Sequence, residues 1–132
     1  MLRVGFLPSD FNPMVLMLGE PEDLRRLAAA LRRFARDPAD TPIEHSSVRL
    51  SAGAGPLGIH AAAEPGAFLW RLDQAHAQAF ADQVDQLAQP SRLAGSEILA
   101  CTTEEEIPVK VSRGEYTDDF LLARDDRRRN RP

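Results

Sequence analysis

Residues 48–72 read VRLSAGAGPLGIHAAAEPGAFLWRL, and their pattern decides the fold. Val48, Leu50 and Ala52 alternate with Arg49 and Ser51, then Leu57, Ile59, Ala61 and Ala63 alternate with Gly58, His60 and Ala62. A period of two marks strands that bury one face. Gly53-Ala54-Gly55-Pro56 and Glu64-Pro65-Gly66-Ala67 punctuate the run as turns, so Phe68 to Leu72 forms a third strand. Four-residue loops predict an antiparallel meander with Leu50 opposite Ile59, Val48 opposite Ala61, Ala61 opposite Trp70 and Ala63 opposite Phe68. The same register sets Arg49, His60 and Arg71 in a row on the face turned away from the core, with Leu69 and Ala62 sharing that face.

Outward from this stretch the period changes. Leu24, Leu27, Ala28, Leu31, Phe34 and Ala35 fall at helical spacing within Pro21 to Arg36. Pro21, Glu22 and Asp23 suit a first turn, Arg36 suits the last, and Pro38 stops the helix. A second helix is expected from Asp73, its N-cap, to Gln89, with Ala77, Phe80, Ala81, Val84, Leu87 and Ala88 as its stripe. Sliding the chain by 53 positions lays the first stripe on the second, and Met14 to Leu18 on Ala67 to Arg71, which suggests a duplicated β-α-β-β unit.

Met14 to Leu18, apolar on both faces, reads as a central strand and Met1 to Leu7 as an edge strand. Ser96 to Thr102 and Ile107 to Arg113 read as a hairpin with Ile98 and Ala100 facing Val111 and Val109. Thr117 caps a short expected helix carrying Phe120 and Leu121. The expected product is an α+β two-layer sandwich, two amphipathic helices on one face of a largely antiparallel sheet, over residues 1–123, with 124–132 a disordered basic tail.

Composition narrows the function classes. A chain of 132 residues with 43% hydrophobic and 27% charged side chains is the size and mixture of one globular domain. Net charge −4 argues against nucleic-acid binding, which clustered cations carry. No apolar run exceeds the five residues of Met14 to Leu18, far too short to cross a bilayer, and Met1 to Leu7 is too short for a signal peptide; a cytoplasmic location is expected. Cys101, the single cysteine, allows no internal disulfide and no CxxC pair. No phosphate-binding loop and no Gly-x-Ser-x-Gly elbow is present, and no cofactor is expected.

Three sets of residues remain as candidates for chemistry. Cys101 with His60 or Glu115 is the polar set a small cleft enzyme would use, although Cys101 stands among aliphatic residues where a cysteine behaves as a hydrophobe. His45, His60 and Glu64 could be metal ligands, but their spacing is not diagnostic, and no metal is expected. The third set, Arg49, His60, Leu69 and Arg71, is a half-apolar cationic sheet face suited to an acidic partner protein or to self-association. The arginines of the first helix and Glu104-Glu105-Glu106 read as solubilising faces.

In size, charge and element order, with Phe68-Leu69-Trp70-Arg71-Leu72-Asp73 leading into the second helix and the stretch from Glu106 to Tyr116 near the end, the chain resembles the small bacterial immunity proteins of polymorphic toxin systems. That resemblance implies a non-enzymatic module that occludes a partner protein, with acidic residues opposing a basic active site.

Overall fold

The computed structural model describes residues 2–8, 13–91 and 94–113. Its elements run β1 (Arg3–Leu7), β2 (Met14–Leu18), α1 (Pro21–Arg36), β3 (Thr41–Pro42), β4 (Val48–Ser51), β5 (Gly58–Ala61), β6 (Phe68–Arg71), α2 (Gln74–Leu87), β7 (Gly95–Leu99) and β8 (Val109–Arg113). The fold class is α+β. Glu115, the expected helix at Thr117 with Phe120 and Leu121, and the tail 124–132 lie outside the described residues.

The helices follow their stripes. Leu24, Leu27, Ala28, Leu31, Phe34 and Ala35 are all buried in α1, as are Ala77, Phe80, Ala81, Val84 and Leu87 in α2. At the start of α1 the Glu20 amide donates to Asp23 Oδ2 (2.9 Å), satisfying one of the donors that a helix N-terminus leaves open. Asp73 caps α2 by accepting the His76 amide at 2.7 Å. The helices pack antiparallel, since Arg25 reaches the Ala88 carbonyl (3.3 Å) and Arg32 reaches Asp85 and, at 2.8 Å, Asp82. Arg113 closes the C-terminus of α2 by donating to the carbonyls of Leu87 (2.8 Å) and Gln89 (2.9 Å). The α1 arginines are thus not merely solubilising: Arg25, Arg26 and Arg32 all make intramolecular ties.

The strands form two sheets instead of one. Their orders are β1-β2-β8-β7 and β3-β4-β6-β5. Each is antiparallel at both margins and parallel at its centre, β2 beside β8 and β4 beside β6. Met14–Leu18 is central and Arg3–Leu7 an edge, as their composition predicts. The element order β-β-α-β-β occurs twice, and each sheet takes one hairpin from each half. β4 corresponds to β8, although a shift of 53 lays Val48 on Cys101, because residues 100–108 make a longer connection than residues 43–47. β3 has only two residues, one of them a proline, too little for any periodicity to reveal.

The expected meander is corrected at one joint. β4 does not pair with β5; β6 lies between them, parallel to β4 and antiparallel to β5. Strands two positions apart are separated by about 10 Å, a gap that the six residues 52–57 bridge easily, so the turn signal at Gly53–Pro56 does not force a hairpin. With β6 central, Trp70 stands opposite both Leu50 and Ile59 and is 1% exposed. Antiparallel pairing of β5 with β6 is as expected, shifted by two residues: Ile59 faces Trp70 and Ala61 faces Phe68. A shift of two leaves every side chain on its own face.

The β7 phase is corrected by one residue. Leu99 opposes Val109 and is buried, whereas Ile98 opposes Lys110 and is 49% exposed. Consecutive apolar residues at Ile98, Leu99 and Ala100 permit either phase, and a one-residue slip turns the whole strand over. One core cluster joins both helix stripes to the inner faces of both sheets, through Val15, Met17, Val109 and Val111 on one side and Val48, Leu50, Ile59, Phe68 and Trp70 on the other.

Candidate docking face

The outward face of β3-β4-β6-β5 carries Arg49, Leu69 and His60 as one row, because Arg49 and His60 both stand opposite Leu69. Arg71 lies one row along, between Ser51 and Gly58. The expected row thus becomes two rows on the same face, with Leu69 at its centre instead of His60. Arg49 is exposed, and Leu69, His60 and Arg71 are half-buried.

His60 is not simply open to solvent. Its Nε2 lies 3.0 Å from the Leu57 carbonyl, which also accepts from Thr103 Oγ1 at 2.6 Å. The β7–β8 connection therefore folds against the β5 margin of the face. Glu106 holds that connection in shape, its carboxylate accepting the amides of Cys101 (2.7 Å) and Thr103 (3.2 Å). Gly58 makes room for it: at φ +96° any side chain is strained, and a Cβ there would stand 2.2 Å from Glu106 Oε2. No periodicity in the sequence signals this contact, since it depends on a loop crossing from one sheet to the other.

Arg71 is held differently. Gly55, at φ +144°, lies so close that a Cβ on it would be 2.9 Å from Arg71 Cζ and Nε. Arg71 Nε is buried and has no hydrogen-bond partner among the described residues. Among the described residues neither Arg49 nor Arg71 forms an ion pair, in contrast to Arg26 with Asp23 and Glu44 and to Arg32 with Asp82 and Asp85.

The alternative sets gain little from the geometry. Burial, followed by the charges of Glu106 and Asp73, pushes the Cys101 thiol up to about 12, so it stays protonated at neutral pH, the reverse of what a nucleophile needs. His60 and Cys101 border the same loop, but the groups between them are Thr103 and Glu106, both engaged in closing it. His45 and Glu64 are exposed, and the pairing of β4 with β5 that would have set them opposite each other is absent. Among the described residues no three His, Cys, Asp or Glu side chains are grouped so as to hold a metal ion. His76 is engaged with the α2 N-cap, its Nδ1 2.8 Å from Asp73 Oδ1. A cavity of about 120 Å3 is lined by Leu2, Leu27, Pro42 and Ile43, and its polar lining groups, Arg26 and Glu44, face each other at 3.6 Å.

Among the described residues no helix is long and apolar enough to cross a membrane. Compared with known proteins, the chain matches no family model, no curated protein and no solved structure, so its functional reading rests on this face and its chemistry.

Proposed function

We propose that the chain is a non-enzymatic protein-binding module that docks an acidic segment of a partner protein on the outward face of the β3-β4-β6-β5 sheet and thereby occludes it. The observation that carries this reading is the pair Arg49 and Arg71, two guanidinium groups without acidic partners among the described residues, on either side of the half-buried Leu69 on a chain whose net charge is −4. An apolar centre between cations is the composition of a docking patch for an acidic surface. The immunity-type resemblance supports occlusion of a protein. It implies acidic residues opposing a basic site, however, whereas the charges on this face fit the opposite polarity.

Self-association through the same face is the weaker alternative. An isologous dimer sets a patch against its own copy, which would press Arg49 and Arg71 against like charges.

The test is a photo-crosslinking residue at position 69, irradiated in a lysate of the source cells. The expected adduct joins position 69 to an acidic segment of a second protein and disappears when Arg49→Glu and Arg71→Glu are added. An adduct that survives both charge reversals, or one formed only with a second copy of the chain, overturns the reading.

A further inference from the structure

We infer that Arg71 is the anchor of this face, a preset guanidinium fork that receives the carboxylate of an Asp or Glu side chain from the partner. The inference rests on the docking reading above and adds the residue and the ligand group that give it specificity.

Three features set Arg71 apart from an ordinary surface arginine. Its Nε is buried without an acceptor among the described residues, although a buried polar group is normally satisfied inside the fold. The guanidinium lies beside Gly55, so close that a Cβ there would stand only 2.9 Å from Cζ and 3.0 Å from Nη1. With its Nε end covered, the guanidinium loses less freedom on binding than a fully exposed one would. The neighbouring polar groups are also committed elsewhere. Ser51 Oγ accepts the Gly53 amide at 3.2 Å, and Glu106, which stands over Gly58 on the other side of the row, accepts the amides of Cys101 and Thr103.

Among the described residues the Nη1–Nη2 end of this charged planar group has no acceptor, and it lies beside a half-apolar surface. Its two parallel N–H donors match the two oxygens of a carboxylate, a geometry that lysine cannot reproduce. Arg49, which is exposed, contributes long-range attraction instead. The occupant that fits is therefore an acidic peptide segment with an apolar residue beside its acid, to lie on Leu69.

The experiment follows the Arg71 Nε–H resonance and the backbone amides of β4 and β6 by 15N NMR while the full chain is titrated with an acetylated Glu-Leu-Glu peptide, and separately with inorganic phosphate. The Arg71 signal is assigned from its loss in Arg71→Lys, and thermal melting confirms that each variant is folded. The expected result is a saturable shift of the Arg71 signal with the peptide. Arg71→Lys should weaken binding about tenfold despite keeping the charge, the loss expected for one charge-assisted bidentate bond. Gly55→Ala should weaken it also. If amides of Arg49 and Leu69 shift while the Arg71 signal stays still and Arg71→Lys binds equally well, the anchor is wrong and the docking face stands. If phosphate binds as tightly as the peptide and shifts the same resonance, the site takes any oxyanion and the carboxylate assignment fails. If no resonance of the face moves, the docking reading fails together with the anchor.

Discussion

Trp70→Ala probes the joint at which the two halves of the chain are interleaved. Trp70 lies in β6, between Leu50 of the first half and Ile59 of the second, and its indole stacks on Phe80 of α2 with ring centroids 6.1 Å apart at 26°. At 1% exposure it loses nearly all its contact with water. Burying roughly 150 to 250 Å2 at about 25 cal/mol per Å2 gives on the order of 4 to 6 kcal/mol for a tryptophan. Substitution by alanine retains the Cβ and allows some collapse, so the expected cost is about 3 to 5 kcal/mol, a large share of a small domain's stability. Urea unfolding followed by far-UV circular dichroism measures it, since the substitution removes the tryptophan fluorophore. Trp70→Phe should recover part of the loss. A cost under about 1 kcal/mol for Trp70→Ala would refute the strand phase and the central position of β6.

Asp73→Ala should cost about 1 kcal/mol through loss of the α2 N-cap. Because the His76 amide and ring hold the Asp73 carboxyl below its ordinary value, that contribution is present at neutral pH and should fade as pH falls through the folded-state pKa, which acid titration of stability in both proteins would reveal. Cys101 should alkylate at least about a hundredfold more slowly at pH 8 than a free cysteine, as its raised pKa requires, and iodoacetamide kinetics would expose an accessible thiolate at once. Since the folded thiol keeps its proton above the pH at which the unfolded thiol loses it, stability should decline between 9.0 and about 12. Cleavage at a protease site inserted between Gly53 and Pro56 should leave the two pieces associated on size exclusion, because each sheet contains strands from both; separated fragments would contradict the interleaved topology.

The helices were legible in the sequence because each makes several turns of repeated apolar spacing between well-marked ends, with Pro21 and Pro38 around one and Asp73 and Pro90 around the other. Strand faces were legible for a related reason. Alternation assigns Arg49, His60, Leu69 and Arg71 to one side of their sheet whichever strand lies next to which, and an even shift in register leaves that assignment intact. Alternation does not identify a neighbour. The insertion of β6 between β4 and β5, and the exchange of hairpins between the sheets, depend on packing of the whole chain around the two helices.

The candidate site shows the same division. Its face follows from local pattern, but the engagement of His60 by the β7–β8 connection and the close approach of Gly55 to Arg71 are contacts between loops and strands that no short-range signal encodes. Arg32 and Asp85 occupy positions that coincide in the 53-residue shift, and their opposite charges were a signal that the helices lie against each other.

The central claim, that the outward face binds and does not stabilise, is tested most directly by Arg49→Glu with Arg71→Glu in the full chain. Affinity for the acidic segment captured at position 69 and the free energy of unfolding are measured side by side, at low and at physiological salt. Binding should be lost in the double variant and weakened by salt in the original protein, while stability falls by only about 1 kcal/mol, most of it from the half-buried Arg71 and little from the exposed Arg49. Parallel loss of folding and binding would make the two arginines structural, and unchanged binding would contradict the account.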